Sequence, residues 1–154
     1  MTYRPGQHMY LASGFFNDKQ RDLCDFIEGL EAMPHIPIYS PRKDGGVLRP
    51  DSPPNQIKEV FDSNKISIET ANFVLAVIDD YDAGVLWEMG YAHGKNISTL
   101  GYSDVEGRGL NVMLAGGCNL GFVNGREALK KTLIDWGDLK FDAFPRNTWS
   151  GAIQ

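Results

Sequence analysis

The run of residues 72–78, Asn-Phe-Val-Leu-Ala-Val-Ile, is the segment that most constrains the fold of this chain. It is apolar at almost every position and does not alternate with polar residues. Strands of this kind are buried on both faces, which happens when helices cover both sides of a parallel sheet. The segment therefore predicts a central strand of an α/β fold.

The rest of the chain alternates strand and helix patterns around this segment. Short apolar runs predict further strands at residues 8–13, 36–39 and 97–102. Apolar residues at helical spacing predict helices from residue 17 to the proline at 34, and over 55–70, 83–94 and 124–136. Residues 41–54 and 107–121 are predicted to be irregular, with a candidate short helix at 111–114. The alternation predicts an open, mostly parallel sheet with helices on both faces.

Size and charge limit the partners that the chain can have. The 154 residues are expected to form a single domain, 1–154. With 20 acidic and 15 basic residues the net charge is −5, so the positive field needed to bind nucleic acid is lacking and a small-molecule partner is favoured. No apolar run approaches the roughly 20 residues of a membrane-spanning helix, and the start lacks a signal-peptide core. We expect a cytoplasmic protein with no membrane partner.

Neither the cysteines nor the histidines predict a metal or disulfide site. Cys24 and Cys118 are far apart in the sequence and have no Cys-x-x-Cys partner. His8, His35 and His93 are isolated, so each is more often structural than catalytic. We expect no metal and no cofactor.

The first candidate site follows the first predicted strand. In a doubly wound sheet, ligands bind beyond the carboxyl ends of the strands. Gly14 would let the backbone approach a ligand there, and Phe15 or Phe16 would stack on a flat ring. The alternative is a turn followed by core aromatics, and composition does not decide between the two.

The second candidate site follows residues 72–78 and contains Asp82 and Glu88. Glu88 interrupts the apolar helix predicted at 83–94, about one turn from its start, and its side chain should project over the carboxyl edge of the sheet. The positive end of the helix dipole would favour its ionised form, which a carboxylate nucleophile requires. Asp82 lies nearby, in the loop that opens the helix.

Two neighbouring carboxylates in different environments are typical of enzymes that cleave glycosidic bonds. One attacks the anomeric carbon and the other handles the proton of the leaving group. The alternative is that Asp82 is only a helix N-cap and Glu88 only a solvated helical acid. That alternative is weaker for Glu88, because its sequence neighbours Leu86, Trp87 and Met89 are apolar.

Over nearly its whole length the chain resembles the nucleoside 2-deoxyribosyltransferases. Three motifs carry the resemblance: residues 10–20 (YLASGFFNDKQ), residues 82–92 (DAGVLWEMGYA) and residues 111–113 (NVM). The C-terminal segment WSGAIQ is also similar to that of the family. The resemblance implies a flavodoxin-like fold and a homo-oligomer, a hexamer or dimer with shared active sites.

The resemblance also implies roles for individual residues. Glu88 would be the catalytic glutamate, Tyr10 the tyrosine beside it, and Asp82 a base-contacting aspartate. Asn111 and Met113 would reach the sugar pocket of a neighbouring subunit, and the terminal carboxylate of Gln154 would reach the active site.

Asn72 is a departure from the family pattern. It stands where we expect the better-known members to carry an aspartate that helps handle the base. An amide can hydrogen-bond a base edge but cannot shuttle its proton. We expect Asn72 to contact the substrate, but the replacement of the aspartate by an amide means that the preferred base cannot be inferred from the family.

From these observations we expect an enzyme that uses 2′-deoxyribonucleosides and free nucleobases as its partners. Glu88 would form a covalent deoxyribosyl ester, and a second base would then take the sugar with net retention. Two alternatives remain at this stage: an N-glycosidase acting on 2′-deoxynucleoside 5′-monophosphates, and a non-catalytic nucleotide-binding module.

Overall fold

A computed structural model describes residues 8–33, 36–139 and 153 of the protein. Five strands alternate with five α-helices within this part of the chain, and short helical turns lie at Leu30–Ala32 and at Pro41–Gly45, the latter in a segment predicted to be irregular. The strands are β1 (Met9–Ala12), β2 (Ile38–Tyr39), β3 (Phe73–Val77), β4 (Thr99–Ser103) and β5 (Gly121–Asn124). The helices are α1 (Asp18–Gly29), α2 (Pro54–Glu69), α3 (Ala83–Gly94), α4 (Val112–Gly117) and α5 (Arg126–Leu139). None of the described helices is long and apolar enough to cross a membrane.

The strands form one parallel sheet in the order β2-β1-β3-β4-β5. The chain leaves β1 toward one side of the sheet to form β2, and returns to form β3 on the other side of β1. Such a reversal opens a crevice at the carboxyl edge between the two strands concerned, here β1 and β3. The structure confirms the predicted α/β fold with a parallel sheet, and its strand order is flavodoxin-like.

Helices cover both faces of the sheet, as the apolar run at 72–78 predicted. On one face Met9 and Leu11 of β1 and Leu75 of β3 pack against α1 and α5. On the other face Tyr10 and Val74, the alternate residues of the same two strands, pack against α2, α3 and α4. Val74 to Ile78 are all buried, so β3 is the centre of the molecule.

The two helices that bracket the crevice begin at side-chain caps. The side chain of Asn17 accepts a hydrogen bond from the backbone N–H of Gln20 at 2.8 Å, which starts α1 where predicted. Asp82 caps α3 in the same way. The observed bounds of α3 are those predicted from the sequence, residues 83–94.

The main difference from the prediction is β5. The segment up to residue 121 was expected to be irregular, and no strand was expected before the last helix. The structure has a four-residue edge strand there, paired with β4 alone. Its pattern is weak because it begins with Gly121, at φ 110°, and buries only alternate residues. The strand predicted at 36–39 is also shorter, since only Ile38 and Tyr39 pair with β1.

The cysteines and the first histidine are buried, and three other residues named in the sequence analysis lie outside the described part of the chain. Cys24 and Cys118 are both buried as free thiols. The ring of His8 is buried, with its Nε2 atom 2.9 Å from the carbonyl oxygen of Ser67. The proline at 34, the histidine at 35 and the C-terminal glutamine at 154 lie outside the described residues.

Candidate active site

A cavity of about 400 Å³ opens at the carboxyl edge of the sheet. It lies between the β1–α1 loop, the loop that follows β2, helix α2 and the start of α3. Most of its lining is apolar or aromatic. The polar and charged side chains among the described lining residues are Ser13, Asn64, Lys65, Asp82 and Glu88. A largely apolar pocket with a few convergent polar groups has the chemistry of a small-molecule site.

Glu88 and Tyr10 meet at the bottom of this cavity. Glu88 lies in the second turn of α3 and lines the cavity, and its Oε2 atom accepts a hydrogen bond from the hydroxyl of Tyr10. Tyr10 is fully buried in β1, so it reaches the site only through Glu88. The arrangement leaves the other carboxylate oxygen of Glu88 for a ligand in the cavity.

The ring of Tyr39 stacks on the ring of Tyr10. The two rings stack with their centroids 5.5 Å apart and their planes at 15°. The hydroxyl of Tyr39 donates to the side-chain oxygen of Asn64 at 3.0 Å. One continuous set of contacts therefore runs from Glu88 through two tyrosines to a side chain on α2.

The protonation of Glu88 is controlled mainly by its burial. Loss of solvent raises the pKa of Glu88 from 4.5 to about 7; the Tyr10 hydrogen bond acts to lower it, and the charge of Asp82 adds to the rise. The helix dipole was expected to favour the ionised form, but burial outweighs it. Burial and the neighbouring Glu88 raise the pKa of Tyr10 above its usual range, so its hydroxyl stays protonated and donates.

Asp82 combines the two interpretations that the sequence left open. One of its carboxylate oxygens accepts a hydrogen bond from the backbone N–H of Val85 at 3.1 Å, so it is the N-cap of α3. The same side chain lines the cavity beside Glu88. Capping and a site contact are therefore compatible in one residue.

The aromatic pair of the β1–α1 loop forms one wall of the cavity. Phe15 lines the cavity and packs partly on the core, while Phe16 is 70% exposed. Their ring centroids are 4.7 Å apart. Phe15 therefore packs partly on the core and also lines the cavity, while Phe16 presents a ring to the cavity without belonging to the core.

Gly14 faces away from this cavity, toward Gln20. A Cβ atom on Gly14 would lie 2.7 Å from the Nε2 atom of Gln20, so a side chain there would displace the end of the Gln20 side chain. The side-chain oxygen of Gln20 accepts from the backbone N–H of Phe16 at 2.7 Å, and its Nε2 atom donates to Asp80 at 2.9 Å. Gly14 thus serves this contact between two loops and does not line the cavity.

Three other predicted site residues do not line the cavity. Asn72 lies at the opposite, amino edge of the sheet, where its backbone N–H donates to the carbonyl of His8 at 2.8 Å. The expected contact of Asn72 with the base therefore does not fit its position. Asn111 caps α4 by accepting from the backbone N–H of Met113 at 2.8 Å, and Met113 is 78% exposed. Ile153, near the C terminus, pairs with Leu110 beside that cap.

Asn64 and Lys65 of α2 are the site residues that the sequence analysis did not single out. A signal was available for Asn64, because it lies among the apolar residues Val60, Phe61 and Ile68 on one face of the helix. A polar residue on an apolar face indicates a buried partner or a site. No group of three His, Cys, Asp or Glu side chains suited to a metal ion occurs among the described residues.

The comparisons with known proteins agree with this geometry. The family model described as nucleoside 2-deoxyribosyltransferase matches residues 9–121, which include Tyr10, Asp82 and Glu88. The chain belongs to the nucleoside 2-deoxyribosyltransferase family. Its members are enzymes that transfer deoxyribosyl groups, and nucleosides and nucleobases are the substrates that membership implies. No curated protein matches the chain significantly.

Two solved structures share the fold of this chain. One is a 2-deoxyribosyltransferase from the psychrotolerant bacterium Bacillus psychrosaccharolyticus, with a TM-score of 0.72 and 22% identity over 92% of this chain and 98% of that one. The other is a conserved protein from Enterococcus faecalis V583, with a TM-score of 0.67 and 18% identity over 84% of this chain and 98% of that one. At these identities the likeness establishes the fold.

Proposed function

We propose that the protein transfers the 2-deoxyribosyl group of a 2′-deoxyribonucleoside to another nucleobase, through a covalent ester on Glu88 and with retention. The observation that carries this proposal is the hydrogen bond from the buried Tyr10 hydroxyl to Glu88 at the bottom of the cavity. It orients the carboxylate that would act as the nucleophile in a largely apolar cavity. Membership of the family supports the reaction class.

In the first step a carboxylate oxygen of Glu88 attacks C1′ of the deoxyribose. The C1′–O bond forms while the C1′–N bond breaks, and the bonding electron pair leaves with the base nitrogen. In the second step a nitrogen of another base attacks C1′ and gives its proton to the carboxylate of Asp82, while the electrons of the ester bond return to Glu88. Two inversions at one carbon give net retention. If water takes the place of the second base, the same intermediate is hydrolysed.

Asp82 and the aromatic wall are the proposed base contacts. Asp82 lines the cavity beside Glu88. We propose that its carboxyl group binds the leaving base and gives it a proton, which the accepting base returns in the second step. Phe15 and Phe16 form the wall on which a base stacks. The N-glycosidase alternative is not favoured, because the family match supports transfer.

The sugar pocket is proposed to be completed by a second copy of the chain in a dimer or hexamer. Asn111 and Met113 are exposed and do not line the cavity of their own chain, as expected of residues that serve a neighbour. Gln154, which lies outside the described residues, is proposed to contribute to the same pocket. The reaction needs no cofactor, and a cytoplasmic location remains a prediction.

Base exchange is the direct test of the proposal. Thymidine or deoxyadenosine is incubated with a different free base, and the new nucleoside is quantified by chromatography. We expect exchange with the wild type, a mass increase of one deoxyribosyl group on Glu88 after denaturing quench, and loss of both in Glu88→Ala. Exchange that persists in Glu88→Ala would refute the nucleophile, and absence of exchange and adduct in the wild type would favour the binding module.

A further inference from the structure

Lys65 supplies the single positive charge among the described residues that line the cavity. It follows Asn64 on α2 and lies one helical turn after Phe61, which also lines the cavity. The other charged groups of the lining are the carboxylates of Asp82 and Glu88, both of which have proposed roles in the reaction. The charge of Lys65 has no role in the mechanism described so far.

Within the described part of the chain, Lys65 forms no ion pair with a carboxylate. Other lysines do: Lys58, on the same helix, pairs with Asp62, and Lys131 pairs with Asp135 at 2.8 Å. The ammonium of Lys65 lies 5.7 Å from the centroid of the Phe61 ring. A half-buried lysine on the cavity wall, with no carboxylate partner among the described residues, is suited to an acceptor on a ligand.

The leaving base becomes electron-rich during the proposed reaction. When the C1′–N bond breaks, both electrons remain on the base, so it departs as an anion unless a proton reaches it at the same time. Where the ring carries carbonyl groups, conjugation spreads that negative charge onto their oxygens. A fixed positive charge close to such an oxygen stabilises the transition state more than the ground state.

We propose that Lys65 is a specificity-determining residue that favours bases with a ring carbonyl where others have an amino group. Hypoxanthine would be favoured over adenine, and uracil over cytosine, because a carbonyl accepts from an ammonium whereas an amino group only donates. The same preference applies to the accepting base, because it replaces the leaving base in the same cavity. This inference rests on the proposed base exchange.

The test compares paired nucleosides that differ at one exocyclic group. We would measure kcat/KM for deoxyinosine against deoxyadenosine, and for deoxyuridine against deoxycytidine, in the wild type and in Lys65→Met. The oxo-to-amino ratio should fall about tenfold in Lys65→Met, in the range of one charge-assisted hydrogen bond, and be retained in Lys65→Arg. Lys58→Met removes a lysine of the same helix outside the cavity, and should leave both ratios unchanged.

A second readout separates charge stabilisation from a change in folding. In Lys65→Met the rate should depend more strongly on the acidity of the leaving base. The ratio of kcat/KM for 5-fluorodeoxyuridine to kcat/KM for deoxyuridine should therefore be larger in the variant than in the wild type. Binding of free hypoxanthine, measured by calorimetry, should weaken while adenine binding does not. If Lys65→Met does not fold, Lys65→Gln removes the same charge and is measured in its place.

The outcomes distinguish this inference from the proposed function. An equal fall for all four nucleosides in Lys65→Met, with wild-type exchange intact, would overturn the role of Lys65 alone. A loss confined to nucleoside 5′-monophosphates would also overturn it, because the ammonium would then serve a sugar phosphate. Absence of exchange in the wild type with every nucleoside would overturn the proposed function itself.

Discussion

At the scale of single residues, Tyr10 determines how Glu88 holds its charge. Its hydrogen bond lowers the pKa of Glu88 against the effect of burial. In Tyr10→Phe that pKa should rise, so the limb of kcat/KM that increases with pH should move to higher pH. Loss of a hydrogen bond to a charged group, about 1.5–3 kcal/mol, predicts roughly a 10- to 100-fold fall near pH 7.

The pH profile of kcat/KM is the measurement for this variant. Tyr91→Phe is the matched control, because Tyr91 also bonds a glutamate, Glu69, but does not line the cavity. A profile for Tyr10→Phe with an unshifted limb would contradict the role given to Tyr10.

The raised pKa of Glu88 also predicts a pH-dependent stability. With a pKa of about 7 in the fold and an ordinary value of 4.5, the folded chain holds a proton that the unfolded chain has lost between these values. Stability should therefore fall as pH rises from about 4.5 to about 7. Glu88→Gln keeps an acceptor for Tyr10 without the charge, and should be about 3 kcal/mol more stable than the wild type at pH 8, the value of a shift from 4.5 to about 7.

Denaturant unfolding of the wild type and Glu88→Gln at pH 5 and pH 8 tests this difference. The gain should be present at pH 8 and largely absent at pH 5, where the folded wild type is already protonated at Glu88. The same gain at both pH values would show that burial of the charge is not its cause.

At the scale of elements, Gln20 joins the two loops that carry the site. Its carboxamide accepts from Phe16 and donates to Asp80. Gln20→Glu places two carboxylates against each other, and should lower kcat/KM by roughly 3- to 10-fold, since exposed charges interact weakly. Adding Asp80→Asn restores a donor opposite the carboxylate and should recover most of the loss.

Steady-state exchange kinetics of the two single variants and the double variant check this prediction. Asp80→Asn alone should be close to the wild type, because an amide oxygen still accepts from Gln20. A double variant no better than Gln20→Glu would mean that the contact does not position the loops.

Elements with strong local signals could be predicted from the sequence. Helix α3 has a capping aspartate, Asp82, at one end and Gly94 at the other, and its bounds were predicted correctly. Strand β3 was predicted correctly because its five residues are all apolar, as expected of a strand that is buried on both faces. Strand β5 was missed because it pairs on one side only and begins with a glycine. Its formation depends on pairing with β4, and a pattern of neighbouring residues in the sequence does not show such pairing.

The candidate site was predictable to a similar extent. Tyr10 and Glu88 were singled out because they lie in motifs, and the structure brings them into contact. Asn72 was predicted to contact the base, but it precedes β3 and therefore lies at the amino edge of the sheet, whereas the cavity lies at the carboxyl edge. Lys65 carries no sequence signal, since a lysine on an amphipathic helix is usually solvated. Lys65 becomes a candidate site residue only because α2 packs beside the cavity, which the sequence does not show.

At the scale of the whole molecule, the proposed sharing of Asn111 predicts complementation between inactive variants. Glu88→Gln and Asn111→Ala should each be impaired alone. In a mixed dimer, one site combines the intact Glu88 of one chain with the intact Asn111 of the other. Random mixing after dissociation should restore about a quarter of wild-type exchange activity.

Exchange assays before and after co-refolding, with sedimentation to record the assembly, check this prediction. Refolding each variant alone is the control and should give no recovery. A mixture that stays impaired although it assembles would argue for sites confined to one chain.

The contrast between the bottom and the wall of the cavity bears on how the enzyme can change over generations. Tyr10 is fully enclosed, so a substitution there disturbs folding and chemistry together. Phe16 is 70% exposed and its ring meets only Phe15 among the described aromatic contacts. Mutations at Phe16 therefore carry little folding penalty, and base preference is free to drift there while the reacting carboxylate stays in place.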